Sequence, residues 1–577
     1  MTVMLVAAPE RSVSDVGGFR ESALRTDAEN LQLNPLFSSF INRYRENLGL
    51  AALAAYLRAH NVTTELISGN LDARTPEEIA RHIIELAPEV VGFSIIYELH
   101  LVNSLEIIRA IRRDGYRGHV LLGGQYATFI HEPLLLSAFG IDSVIRGEGE
   151  LPLLRLVQAL RTGQDWRSIP GLAYYDGTSV RANPAGLIVR DLDELPFAAR
   201  DSLSGLQARG LPTRTASIYS SRGCLGHCTY CTAPASKSLS PVGWRCRSGE
   251  ALFAEIKDLI ERFGVEYFYF CDVNFIGYGP AARERLETFC NLVEESGLRF
   301  SFHAEARADS IERDLGILRR LRGIGLKDLL LGLETGSPRL LKLWKKRTPL
   351  EKNVSAVRHV RALGFDLEPA MIMVGPETRT DDLVATIDFI LAEQLHREGV
   401  ALHLFNKMAL FKGTEAEERM VSIGSVSGVD IDRVRSLDNS DDGLVALCRE
   451  VAARPYVTES AVVDDGWALC MTEVDRLTWL LQEYIPDILN DFMRNRTAQD
   501  AVGRAELMAT LASARRWRDG IADLVETILG LLREYLVDDT HDAGRLARGL
   551  REAVDEHEQT CFGRLLPALG DYQRAAD

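Results

Sequence analysis

The sequence has no apolar run approaching the roughly 20 residues that cross a bilayer. Its opening, MTVMLVAAPERS, lacks the basic start and the apolar length of a secretory signal and reads as a first buried strand. The protein is therefore expected in the cytoplasm, with no membrane partner. Positive charge is in deficit: 82 acidic residues face 66 basic ones, a net charge of −16. Phosphate backbones reward clustered Lys and Arg, so this balance argues against a nucleic-acid partner. Spread out, it reads as solubility. Cysteine is scarce, nine in 577 residues, too few for a disulfide scaffold. No Gly-x-Gly-x-x-Gly follows the first strand, which removes the dinucleotide fingerprint.

What remains is globular composition, 46% hydrophobic and 26% charged, in a chain long enough for about three or four domains. Residues 1–150 alternate strand and helix signals. Val3–Ala8, Thr63–Ser68, Val90–Ile96, His119–Leu122 and Ser143–Ile145 read as buried strands. Asn47–His60, a helix begun by the Thr75-Pro76-Glu77-Glu78 cap, and Leu105–Arg113 read as helices. The stretch up to about Arg45 has no clear period and is assigned no structure. Such alternation implies a doubly wound α/β domain with a parallel sheet, which binds ligands at its strands' carboxyl ends. Gly123 and Gly124 sit there. Residues 151–210 read as a connector, with a helix over Leu153–Leu160, a turn at Asp176-Gly177 and the segment LDELPFAARD.

Three of the nine cysteines fall together in YSSRGCLGHCTYCTAPA, spaced Cys224-x3-Cys228-x2-Cys231. Three adjacent thiolates converge on a soft metal centre. Structural zinc wants four ligands, His227 cannot easily turn inward between its neighbours, and no second Cys-x-x-Cys exists. A [4Fe–4S] cluster on three cysteines leaves one iron open. The other six cysteines (Cys246, Cys271, Cys290, Cys448, Cys470 and Cys561) read as buried small hydrophobes.

This spacing, with the aromatic Tyr230 before its last cysteine, resembles the radical S-adenosylmethionine enzymes. The family's partial (β/α)6 barrel is expected over residues 211–415, where strands and helices keep alternating. Strand ends carry CDVNF (Cys271–Phe275), Glu305 and Arg307, GLETGS (Gly332–Ser337) and MIMVGPET (Met371–Thr378), before a last strand at Ala401–Phe405. Active sites of parallel barrels lie on that rim. The resemblance assigns the cluster to Cys224, Cys228 and Cys231. It assigns S-adenosylmethionine contacts to Tyr230, Asp272, Asn274, Glu305, Arg307, Glu334, Thr335, Gly375 and Phe405. CDVNF departs from the family's Gly-Gly-Glu form. Lys345-Lys346-Arg347 reads as a solvated helix end.

A doubly wound (Rossmann-like) domain before such a barrel resembles the cobalamin-dependent branch, class B methyltransferases among them. The resemblance rests on GFSII (Gly92–Ile96), GGQYAT (Gly123–Thr128), VIRGEGE (Val144–Glu150) and DLDELPFAARD (Asp191–Asp201), and covers about residues 1–415. It implies cobalamin contacts at Asn70, Leu71, Ser94, Ile95, Gly123, Gly124, Gln125, Tyr126, Gly147, Glu148, Gly149 and Glu150. No Asp-x-His-x-x-Gly occurs within residues 1–150, so no histidine of this domain is expected below the cobalt. The implied activity is methylation of an unactivated carbon of a small molecule, a natural-product precursor, through a 5′-deoxyadenosyl radical and methylcobalamin. A flavodoxin- or ferredoxin-like electron donor is implied with it. Cyclisation or ring rearrangement with the same cofactors is one alternative, and a non-catalytic cobalamin or iron–sulfur sensor another. No acid–base residue is assignable. Residues 416–577 resemble nothing known, and helical faces at Asp475–Met493 and Glu506–Val537 predict a helical C-terminal domain capping the barrel or touching substrate.

Overall fold

The computed structural model describes residues 2–9, 46–479 and 520–562, apart from 73, 187, 212, 240–242, 400–403 and 452–455. The unassigned stretch before Arg45 and the helices expected over 480–493 and 506–519 lie outside the described residues.

Five strands form the parallel part of the first sheet: β1 (Thr2–Ala7), β2 (Thr63–Ser68), β3 (Val90–Ser94), β4 (His119–Gly123) and β5 (Ser143–Ile145), in the order β2-β1-β3-β4-β5. Helices cover both faces, so β3 is buried along its whole length. The Thr75 cap forms as its sequence dictates: Glu78 donates its backbone N–H to Thr75 Oγ1 at 3.3 Å, and Thr75 donates back to Glu78 Oε2 at 2.9 Å. The strand order reverses about β1 and β3, and there the crevice at the carboxyl ends opens. The sheet continues past residue 150. β6 (Leu172–Tyr175) and β7 (Val180–Ala182) add an antiparallel edge around the Asp176 turn. They were illegible because only Leu172 and Ala173 are buried, leaving no alternation to read.

The second sheet begins with β8 (Thr215–Ile218). An antiparallel ribbon of β9 (Ser221–Gly223) and β10 (Trp244–Cys246) follows, with Arg245 opposite Arg222. Then come β11 (Tyr267–Phe270), β12 (Ser301–Arg307), β13 (Leu326–Glu334) and β14 (Asp366–Met371), all parallel, in the order β8-β11-β12-β13-β14. Phe268, Phe270, Phe302, Leu329, Leu331 and Leu333 point to the outer helices and are wholly buried. Period-two geometry turns Tyr269, His303, Glu305, Arg307 and Glu334 to the inner face. There Tyr269 stacks on His303 at 4.3 Å. Of the expected last strand, 401–403 lie outside the described residues; beside it Val374 bridges Lys407 in parallel.

The C-terminal helices divide their packing between the first sheet's domain and the barrel. Val434, Leu444, Leu447 and Cys448, on Ile431–Ser436 and Asp441–Val451, share a core with Met4, Val91 and Ile108 of the first sheet's domain. Ala461–Trp479, residues 520–537 and Ala543–Phe562 pack on the barrel core through Val463, Trp467, Ile528 and Leu550. The first of these starts well before Asp475. Gly466 interrupts its apolar pattern because a Cβ there would stand 2.9 Å from Tyr535.

Buried charge ties the connector to both domains. Arg200 reaches Glu46 at 2.7 Å and Glu255 at 3.0 Å, with all three side chains at most 5% exposed. Arg200→Met leaves two buried carboxylates without a cation. It is expected to destabilise the protein by about 3–5 kcal/mol, read as a lower urea midpoint at unchanged slope.

Candidate active site at the facing sheet edges

The cluster loop leaves β8 through the ribbon. Gly223, with φ +86°, turns the chain where a Cβ would strike the Gly243 carbonyl. Cys224 is half-buried, Cys228 buried and Cys231 half-buried, all three as free thiols. The loop is pinned from outside: Thr229 N donates to Trp344 O at 3.0 Å and Lys237 Nζ to Gly226 O at 2.7 Å. The sulfurs receive donors. Gly226 N lies 3.2 Å from Cys224 Sγ and Arg307 Nη1 3.7 Å from Cys228 Sγ. The Tyr278 and Tyr230 hydroxyls meet Cys224 and Cys228. Burial, with Cys228 and Cys224 alongside, pushes the Cys231 thiol up to about 12. Among the described residues no three His, Cys, Asp or Glu side chains stand close enough to hold a single metal ion. One zinc would draw sulfurs to within about 4 Å of each other, given Zn–S bonds of about 2.3 Å. Three thiols on one loop, each near a hydrogen-bond donor, fit a cluster with one open iron. His227 is exposed.

The other residues assigned to S-adenosylmethionine separate into two groups. Tyr230, Glu305, Arg307 and Glu334 gather behind the loop. Arg307 Nη2 also donates to Lys346 O at 2.8 Å and Tyr269 Oη to Glu305 at 3.3 Å. Glu334 takes a left-handed φ of +69° and pairs with Lys346 at 2.5 Å. Lys346 is thus no solvated helix end: its side chain is 4% exposed, and only a glycine at 332 leaves room for the pair. Asn274 is completely buried, and neither its Oδ1 nor its Nδ2 has a partner. Such an amide is costly until a ligand satisfies it.

The second group serves the scaffold. Asp272 accepts from Ser220 N at 3.0 Å and Ser220 Oγ at 2.8 Å and faces the chain. Burial raises its carboxyl, against Arg285. Thr335 Oγ1 bonds Thr386 Oγ1 at 2.7 Å. Gly375 makes room for Trp344, 2.6 Å from a Cβ, and Phe405 packs on Trp467 at 6.2 Å. Sequence reasoning missed Tyr278 and Lys346, since neither stands in a strand-end motif. It also took Cys271 for a buried hydrophobe, whereas that thiol is exposed and Cys246 half-buried. Cys290, Cys448 and Cys470 are buried as expected, and the Cys561 side chain lies outside the described residues.

At the first sheet, Ser94, Ile95, Gly123, Gly124 and Gly147 line the carboxyl rim. Ile95 O receives Tyr126 N at 3.0 Å, and Gly124, at φ +94°, clears that carbonyl. A Cβ on Gly123 would meet nothing nearer than 4.0 Å, so packing does not require its glycine. Asn70 and Leu71 form the turn after β2, but the Leu71 side chain is buried in the core it shares with Leu203 and Leu206. Tyr126 Oη donates to Val451 O at 2.6 Å. Gly149 backs onto Leu53. The carboxylates of Glu148 and Glu150 are taken by arginines: Arg222 reaches them at 2.9 and 2.7 Å, and Arg245 also holds Glu148. Burial alone would raise the Glu150 carboxyl; Arg222 and then Arg245 outweigh it and hold it below the ordinary range. Gln125 Nε2 donates to Thr232 Oγ1, one residue beyond Cys231. The two rims therefore touch.

Residues 43–157 match the B12 binding domain family, and residues 218–390 match the radical SAM superfamily. The chain is a B12-binding radical S-adenosylmethionine enzyme. Its cofactors are accordingly cobalamin, S-adenosylmethionine and a [4Fe–4S] cluster. This B12-binding radical enzyme is 29% identical over 350 residues to an uncharacterised methyltransferase of Pyrococcus horikoshii, covering 59% of this chain and 72% of that one. It is 27% identical to an anaerobic magnesium-protoporphyrin IX monomethyl ester cyclase of Cereibacter sphaeroides, over 55% of this chain and 51% of that one. It is 28% identical to a hopanoid C-3 methylase of Methylococcus capsulatus, over 58% of this chain and 62% of that one. Its fold matches the cobalamin-dependent S-adenosylmethionine radical enzyme OxsB with a TM-score of 0.68 at 18% identity, over 100% of this chain and 81% of that one. No helix among the described residues is long and apolar enough to cross a membrane.

Asn274→Leu, close in volume, removes the unsatisfied amide. The unloaded protein is expected to gain about 1 kcal/mol. Affinity for S-adenosylmethionine should drop about tenfold or more, a loss of about 1.4 kcal/mol. Thermal denaturation and calorimetric titration read the two effects separately.

Proposed function

We propose that this enzyme transfers a methyl group to an unactivated carbon of a small molecule. The observation that supports the reading is the contact of the two rims, Gln125 against Thr232, beside the cysteine loop. When bound, the cluster and S-adenosylmethionine supply one-electron chemistry, and cobalamin carries the methyl group. The protein's own residues position and desolvate. Cys224, Cys228 and Cys231 hold the cluster, with Arg307, Tyr230 and Tyr278 at their sulfurs. Asn274, Glu305 and Glu334 hold S-adenosylmethionine, while Asp272, Thr335, Gly375 and Phe405 support them from behind. Asn70, Ser94, Ile95, Gly123, Gly124, Gln125, Tyr126 and Gly147 would hold cobalamin.

In this reading the cobalamin unit is residues 1–150 extended by β6 and β7, 151–210 link it to the barrel at 211–415, and 416–577 brace both. A flavodoxin- or ferredoxin-like donor supplies the electron, and free thiols beside such a cluster suit a reducing cytoplasm. Cyclisation of a small molecule is the second reading, favoured by the cyclase relative.

Products separate the two. Methyl transfer consumes two molecules of S-adenosylmethionine and gives S-adenosylhomocysteine with 5′-deoxyadenosine in equal amounts. Cyclisation gives no matching S-adenosylhomocysteine, and 5′-deoxyadenosine alone would overturn the methylation reading. Cys228→Ala is expected to lower bound iron to near zero and abolish 5′-deoxyadenosine, while cobalt stays at the level of the unaltered enzyme.

A further inference from the structure

Arg222 sits two residues before Cys224, on the strand that delivers the cluster loop. Its Nη1 donates to Glu148 at 2.9 Å and its Nη2 to Glu150 at 2.7 Å. Nη2 also lies 3.3 Å from Tyr219 Oη, and the guanidinium lies over that ring at 4.8 Å. Arg245, directly across the ribbon, binds Glu148 as well and donates Nε to Val189 O at 3.1 Å. The four charged side chains are between 6% and 19% exposed. Glu148 and Glu150 flank Gly149 at the carboxyl end of β5, on the cobalamin rim. Two strands of the barrel domain thus hold both carboxylates of one loop of the first domain. A bidentate guanidinium fixes direction as well as distance.

We propose that Arg222, with Arg245, latches the Glu148–Glu150 loop to the cluster loop and so sets the spacing and orientation of cobalamin relative to the cluster. These are positioning residues: their charges are paired with each other. The inference rests on the two-cofactor reading above and gives Glu148 and Glu150 a task other than ligand binding. Two carboxylates against two guanidinium groups leave the latch without net charge.

The test uses the full chain loaded with both cofactors, with cobalt and cluster each brought to a paramagnetic state. Electron paramagnetic resonance then reads the splitting of the cobalt signal by the cluster. In the unaltered enzyme one sharp splitting is expected. In Arg222→Met and in Glu148→Gln the spread of cobalt–cluster separations should at least double, with iron and cobalt contents unchanged. The double variant should be worse than either single variant but by less than their sum, because the two share the Arg222–Glu148 contact while Arg222→Met spares Arg245–Glu148 and Glu148→Gln spares Arg222–Glu150. Arg222→Lys should recover part of the sharpness.

An unaltered splitting in both single variants overturns the latch. So does loss of cobalt in proportion to lost splitting, which would make Glu148 a ligand. If the unaltered chain binds no cobalt, the functional reading fails instead. The latch is then judged by amide hydrogen exchange in the unloaded protein. There Arg222→Met must speed residues 147–150 and 221–224 together, and exchange unchanged at either segment overturns it.

Discussion

The ion pairs of Arg222 and Arg245 with Glu148 and Glu150 are what the rest of the arrangement depends on. A parallel sheet offers its ligand edge only at the carboxyl ends of its strands. Two such sheets cooperate only if those edges face each other across a gap of fixed width. Hydrophobic contact sets no direction, since apolar surfaces slide over one another at little cost. Paired guanidinium and carboxylate groups do set one. Desolvating these groups costs several kcal/mol per ion unless geometry returns it, which accounts for the Tyr219 ring and the ribbon packed around them.

The same device recurs at the connector. Arg200 bridges Glu46 and Glu255 in a nearly dry setting. The C-terminal helices then reinforce both halves: 431–451 on the first sheet's domain, 461–479 and 520–562 on the barrel. Tyr126 connects the cobalamin rim to the former through Val451.

Much of this was legible in the residue order. Strands β1 to β5, the Thr75 cap and the barrel alternation follow from apolar runs and period, because burial on both faces leaves a continuous hydrophobic signature. The cysteine loop was legible because three thiols at that spacing have few other uses. Partnership was not legible. Glu148 and Glu150 stand in a strand-end motif, where an exposed carboxylate and one clamped by Arg222 have the same sequence. Asp272 and Asn274, two residues apart, looked alike; backbone contacts claim the first and leave the second unsatisfied. Lys346 lies between two exposed basic residues and is buried only because Gly332 makes room. An amphipathic helix announces a buried face without naming what covers it, so the division of the C-terminal helices could not be read.

The central claim is that one chain holds an iron–sulfur cluster and cobalamin in a single rigid frame. Anaerobic reconstitution with iron, sulfide and hydroxocobalamin, followed by metal counting, tests it most directly. The account predicts about four irons and one cobalt per chain, the iron load of one [4Fe–4S] cluster. Iron without cobalt, or zinc in place of iron, would contradict it.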